Sequence, residues 1–81
     1  MKRLEVRQVW WIDAVGNDGW DDQTEYAKET LAACESVGYV LKETAAFVVL
    51  VQSVSDDVAH NSITIPKFAI TKMATLRKAV L

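Results

Sequence analysis

The sequence predicts a mainly β, α+β fold: a small antiparallel barrel of the SH3 or Sm-like kind. It would hold four or five strands, with one helix between the first and second. Three observations carry this. Leu4, Val6, Trp10 and Ile12 share one parity, while Glu5, Arg7 and Asp13 take the other, which is the period of a half-buried strand. Phe47-Val48-Val49-Leu50-Val51 is apolar on both parities and rich in β-branched residues, as a central strand is. Only 81 residues hold these elements, so the strands must be short and strongly bent. A plain α+β sheet with one helix across it is the alternative.

The first strand covers Leu4–Ile12, with Trp10 facing the core and Val9 and Trp11 on the partly covered second face. Gly16-Asn17-Asp18-Gly19 ends it, because these residues tolerate positive φ. Asp22-Gln23-Thr24-Glu25 fits a capping box and opens a helix of about three turns that stops near Glu35. Tyr26, Ala27, Thr30, Leu31 and Cys34 recur on one face of that helix, and its early acids suit the positive end of the helix dipole. Ser36–Glu43 reads as the second strand, with Val37, Tyr39 and Leu41 on one face. A tight connection at Glu43-Thr44-Ala45 makes Phe47–Val54 its antiparallel partner. Ser55–Asn61 reads as a polar loop. Ser62–Ile65 alternates again until Pro66, which has no backbone donor, ends the ladder. Phe68 and Ile70 suit a short last strand. Ala69, Met73, Leu76 and Val80 suit a weakly helical end.

Composition narrows the class. Hydrophobic residues make up 51% and charged residues 25%, which is globular rather than disordered. The length is read as one domain, 1–81, and excludes a TIM barrel or a two-half Rossmann domain. The formal charge of −2 is no general nucleic-acid signature. The charge is instead polar along the chain. Asp13, Asp18, Asp21, Asp22, Glu25, Glu29 and Glu35 stand against the single base Lys28, and the end carries Lys67, Lys72, Arg77 and Lys78 with no acid. The two segments are expected to face each other in the fold or across a homo-oligomer interface. A lone cysteine, Cys34, forms no internal disulfide and favours a reducing, cytoplasmic setting. Met1–Val6 has no apolar leader segment, and the longest apolar run, Ala45–Val51, is too short for a membrane helix.

Several constellations have a bland reading that outweighs the chemical one. Cys34 and His60 are the sole thiol and imidazole, but Cys34 falls on the apolar helix face and reads as a buried structural thiol. Asp56, Asp57 and His60 match no metal motif and read as a solvated loop. Gly16-x-x-Gly19 lacks the lysine of a phosphate loop and is ringed by acids. No nucleophile, acid–base pair or metal set can be read, so the expectation is a non-enzyme with no cofactor.

The motifs Val9-Trp10-Trp11-Ile12-Asp13-Ala14, then Trp20, then Cys34-Glu35-Ser36-Val37-Gly38-Tyr39-Val40-Leu41 follow in order. Val49-Leu50-Val51-Gln52-Ser53 and Ile65-Pro66-Lys67-Phe68-Ala69-Ile70 complete the series. Together they resemble a group of small uncharacterised proteins encoded by bacteriophages and prophages. That group shows a "W-x-D … W" opening, an "S-V-G-Y" strand and an "I-P-K-x-x-I" close. The resemblance implies a phage source and expression in a bacterial cytoplasm. It carries over no functional residue.

The expected function is therefore binding. Trp11, on the second strand face, and Trp20, in a turn, are candidates to stack on a base, and Lys67 and Lys72 to neutralise phosphate. For a phage, a homo-oligomer built this way would be a sponge for a nucleotide-like immune signal of its host. The alternative is a module that docks on a basic host or phage protein through Asp18, Asp21, Asp22 and Glu25. A Sm-like nucleic-acid binder is disfavoured by the net acidity.

Overall fold

The computed structural model describes the backbone of residues 3–80 and the side chains from Leu4 to Lys78; Met1, Lys2 and Leu81 lie outside the described residues. The chain is mainly β, with five antiparallel strands in one sheet. They are β1 (Arg3–Asp13), β2 (Ala32–Glu43), β3 (Phe47–Ser55), β4 (Val58–Pro66) and β5 (Ile70–Val80), ordered β4-β3-β2-β1-β5. The helical content is one turn of α-helix, α1 (Gln23–Tyr26), and a 3-10 turn at Lys67–Ala69. The sheet fits a small barrel-like fold but does not close, because β4 and β5 end the strand order without pairing.

The main core cluster sits on one face of the sheet, while Leu4 and Val51 are buried outside it. Residues directly opposite in a ladder share a face. Val9 stands opposite Met73, Trp11 opposite Cys34, Val40 opposite Leu50, and Val48 opposite Ile65. Val9, Val48, Leu50 and Ile65 are buried together, with Trp11, Val40, Ile70 and Met73 packed against them. Gly38 lets β2 pass close to β3: a Cβ there would lie 2.8 Å from the Val51 carbonyl oxygen. Gly19, at φ 121, holds a turn conformation that side chains disfavour.

Four sequence expectations need correction. The three-turn helix from Asp22 to Glu35 does not form. Asp22 does cap a helix, its carboxylate accepting from the Thr24 amide at 3.4 Å, but that helix ends at Tyr26. The apolar face expected at Ala27, Leu31 and Cys34 has nothing to pack on, and Leu31 is exposed. Ala32–Glu35 extend β2 instead and pair with Trp10–Asp13, which satisfies their backbone groups in the ladder. Cys34 is accordingly a half-buried strand residue.

The polar loop expected at Ser55–Asn61 shrinks to two residues. Ser55 pairs with Val58, and Asp56 makes the turn at φ 48. The tail, expected to be a short strand and then helical, is strand from Ile70 to Val80. Pairing along β1 gives it partners that a lone helix would lack, and β-branched Ile70, Thr71 and Thr75 suit it. Finally, the parity of the tryptophans is reversed. Trp11 packs on the core, and Trp10 lies on the opposite face.

The molecule is long, 56 × 22 × 20 Å, with a radius of gyration of 16.3 Å. A compact chain of this length would have about 12 Å. Among the described residues, no helix is long and apolar enough to cross a membrane.

Candidate ligand-binding face

Trp10 organises the face of the sheet turned away from the core. Its ladder neighbours are Glu35 on β2 and Lys72 on β5, so all three side chains share that face. The Lys72 ammonium sits over the Trp10 ring, 4.8 Å from its centroid. This is a cation–π contact, worth about 0.5–1 kcal/mol at an exposed site. Thr71 anchors the same stretch, its hydroxyl donating to the Trp10 carbonyl at 3.2 Å. Further along, Gln8 stands opposite Ala74 and Arg77 opposite Val6. Lys72 and Arg77 are both exposed, so this strip offers one aromatic plane and two cations.

Further large apolar groups are exposed on the two connections that join the ends of β1 and β5 nearest Trp11, Val15 among them. Trp20 and Leu31 are exposed on the segment 14–31 that leaves β1 at Asp13. Phe68 is exposed on the 3-10 turn that enters β5 at Ile70, opposite Trp11. The segment 14–31 is held by its own polar contacts. The Tyr26 hydroxyl donates to the Gly19 carbonyl at 2.7 Å, and the Asn17 amide donates to Glu29 at 2.8 Å. Lys28 pairs with Glu25 at 2.9 Å.

Of the four residues expected to hold a ligand, two remain free to do so. Trp20 is fully exposed and Lys72 lies on the open face. Trp11 is not an exposed stacking residue: it packs on the core and its indole N–H donates to Ser36 Oγ at 3.0 Å. Lys67 is engaged with Glu43 at 2.7 Å. Trp10 is the residue missed. The signal that could have found it is Lys72 and Met73 in an alternating tail, which would have set the parity of β1.

Lys67 belongs to a charge cluster at the core face's edge. Glu43 accepts from Lys67 and, at 2.9 Å, from Arg7, which also bonds Glu5. The hydrogen bond from Lys67, then that from Arg7, holds the Glu43 carboxyl below its ordinary value of 4.5. The Arg7 bond likewise lowers Glu5. Burial pulls the Arg7 guanidinium down, but its bonds to Glu5 and Glu43 outweigh that and raise it. A cluster so satisfied holds strands together and has little left for a ligand.

The residues expected to meet a protein, Asp18, Asp21, Asp22 and Glu25, are all exposed on the segment 14–31. None of the ion pairs among the described residues joins the acidic 13–35 stretch to the basic tail, so the two do not neutralise each other by contact within one chain. Cys34 and His60 stand on different ladders, opposite Trp11 and Ser53. Among the described residues no three His, Cys, Asp or Glu side chains are grouped to hold a metal. Two open depressions of about 320 and 300 Å³ are lined mostly by β3 and β4, away from Trp10. No family model, curated protein or solved structure matches this chain.

Proposed function

We propose that this chain is a non-enzymatic binding protein that works as a homo-oligomer and sequesters a small anionic molecule carrying a flat base, of the nucleotide class. The observation that supports it is the Lys72 ammonium over the Trp10 ring on an open sheet face. A ligand that draws the exposed Lys72 off the ring onto its phosphate would open the Trp10 plane for stacking. Exposed Trp20 stands on the neighbouring segment as a second stacking group. The face is shallow in one chain, so a second copy would be needed to enclose a ligand. Taken with the resemblance to phage-encoded proteins, the role is that of a sponge in the bacterial cytoplasm. It would deprive a host defence of its messenger.

Native mass spectrometry with cyclic and ADP-ribose-type nucleotides tests this. The expected result is an oligomer that gains the mass of one nucleotide per site. Lys72→Ala should weaken uptake about tenfold, the scale of one charge-assisted hydrogen bond. A wild-type protein that takes up none of these molecules overturns the reading. Uptake of an oligonucleotide alone would replace it with nucleic-acid binding.

A second reading rests on a separate observation. All seven acids from Asp13 to Glu35 are exposed, and among the described residues only Glu25 of them meets a base. Such a field suits docking on a basic host or phage protein.

A further inference from the structure

We propose that the outer edge of β4 pairs antiparallel with β4 of a second copy, across a two-fold axis at Ser62. This rests on the self-association in the reading above and says how it is built. The two free edges of the sheet differ. β5 carries Lys72, Arg77 and Lys78 and two register shifts along its ladder with β1. Cations and irregular pairing are the devices by which edge strands resist pairing. β4 has no charged residue over its nine positions, and its proline comes last. Asn61, at φ 55, kinks it once, but the ladder with β3 keeps one register on both sides. Val58 and Ile63 are exposed along it. An unprotected edge is a template for pairing with another chain.

The surface area agrees. The chain exposes 6027 Å². A compact protein of 9.0 kDa exposes about 4,900 Å² by size scaling. The excess exceeds the roughly 800 Å² that each partner buries in a standard interface. Charge selects the arrangement. Antiparallel pairing about Ser62 sets Val58 opposite the partner's Pro66, and the nine paired positions hold no Asp, Glu, Lys or Arg, so the seam places no like charges opposite each other. Self-pairing of β5 would instead set cations against cations. Head-to-tail pairing of β4 with β5 would leave the cations and shifts of β5 without a purpose.

Ser62 is exposed, so a charge there is compatible with the folded chain. At the axis it would meet its own copy, and like charges directly opposite repel. Ser62→Asp and Ser62→Lys should each raise the dimer dissociation constant at least several-fold, with circular dichroism unchanged. Mixing the two variants should restore the dimer as a mixed species. Light scattering and native mass spectrometry of the wild type should give twice the chain mass. A wild-type ring of three or more copies, or dimers that persist in both single variants, overturns the two-fold pairing while leaving self-association intact. A wild-type monomer overturns both.

Discussion

The core face of the sheet and the segment 14–31 are built on opposite terms. The core face gathers Val9, Val48, Leu50 and Ile65 from three strands, all with 2% exposure or less. The segment buries no residue fully, and Tyr26 alone is half-buried. It holds its shape by hydrogen bonds to itself and by the Asp22 cap. Apolar burial is the dominant favourable contribution to folding, so stability sits in the sheet. The segment carries five of the chain's eleven acids and a fully exposed tryptophan, the groups suited to recognition. Apolar burial and exposed negative charge are thus assigned to different stretches of chain.

The largest break in that comparison is Leu50→Ala. Leu50 is almost fully buried at the centre of the cluster, between Val40 on β2 and Ile63 on β4 in the ladders. Its truncation should cost about 3 kcal/mol, within the range for leucine deletions that leave a cavity. A domain this small has roughly 5–10 kcal/mol in all. Urea titration should show the midpoint fall by a third or more. A loss below about 1 kcal/mol would mean that the cluster is not what holds the sheet.

A smaller effect follows from the charge cluster at the edge of the core face. Glu43 and Glu5 have carboxyls lowered below 4.5 by their bonds to Lys67 and Arg7. The folded chain therefore binds fewer protons than the unfolded chain in mild acid. The stability they contribute is fully present above about pH 4.5 and is lost as pH falls through the lower folded values. Glu43 is a third exposed, so solvent screening limits its share to about 1 kcal/mol. Glu43→Gln should lower stability at pH 7 by that amount and flatten the decline between pH 5 and the acid limit, read by denaturant titration at stepped pH. An equally steep decline in the variant would place the acid sensitivity elsewhere.

The sheet was legible in the sequence where one strand declares itself. The apolar run Phe47–Val51 and the alternation of Leu4–Ile12 both name strands without help from neighbours. The stretch Tyr26–Cys34 was not legible, because its spacing fits a helix and its true partner, Trp10–Asp13, lies in another part of the chain. The face of β1 depended on the tail in the same way. Trp10 and Trp11 are adjacent, and only Met73 opposite Val9 decides that Trp11 turns inward. The site followed suit. Trp20, a candidate for exposure because it falls in a turn, is fully exposed, and Lys72 lies on the open face. Trp11 and Lys67 were lost to partners 25 and 24 residues away, Ser36 and Glu43, which no local pattern reveals.

The smallest expected effect on stability comes from the acidic segment, and it sharpens the comparison most. Asp18→Lys, Asp21→Lys and Glu25→Lys together reverse the field while leaving Asp22 to cap α1. The three side chains are exposed, and Glu25 loses only a surface pair with Lys28. Exposed pairs of this kind contribute from zero to about 1 kcal/mol, and substitutions away from buried groups usually stay within about 0.5 kcal/mol. The melting temperature should therefore hold to within a few degrees. Capture of a basic protein partner from infected cells should fall at the same time, through slower, salt-dependent association. Unchanged capture would remove the second reading of function. A clear drop in melting temperature would show that the segment braces the sheet after all, and the division between a stable face and a recognition segment would no longer stand.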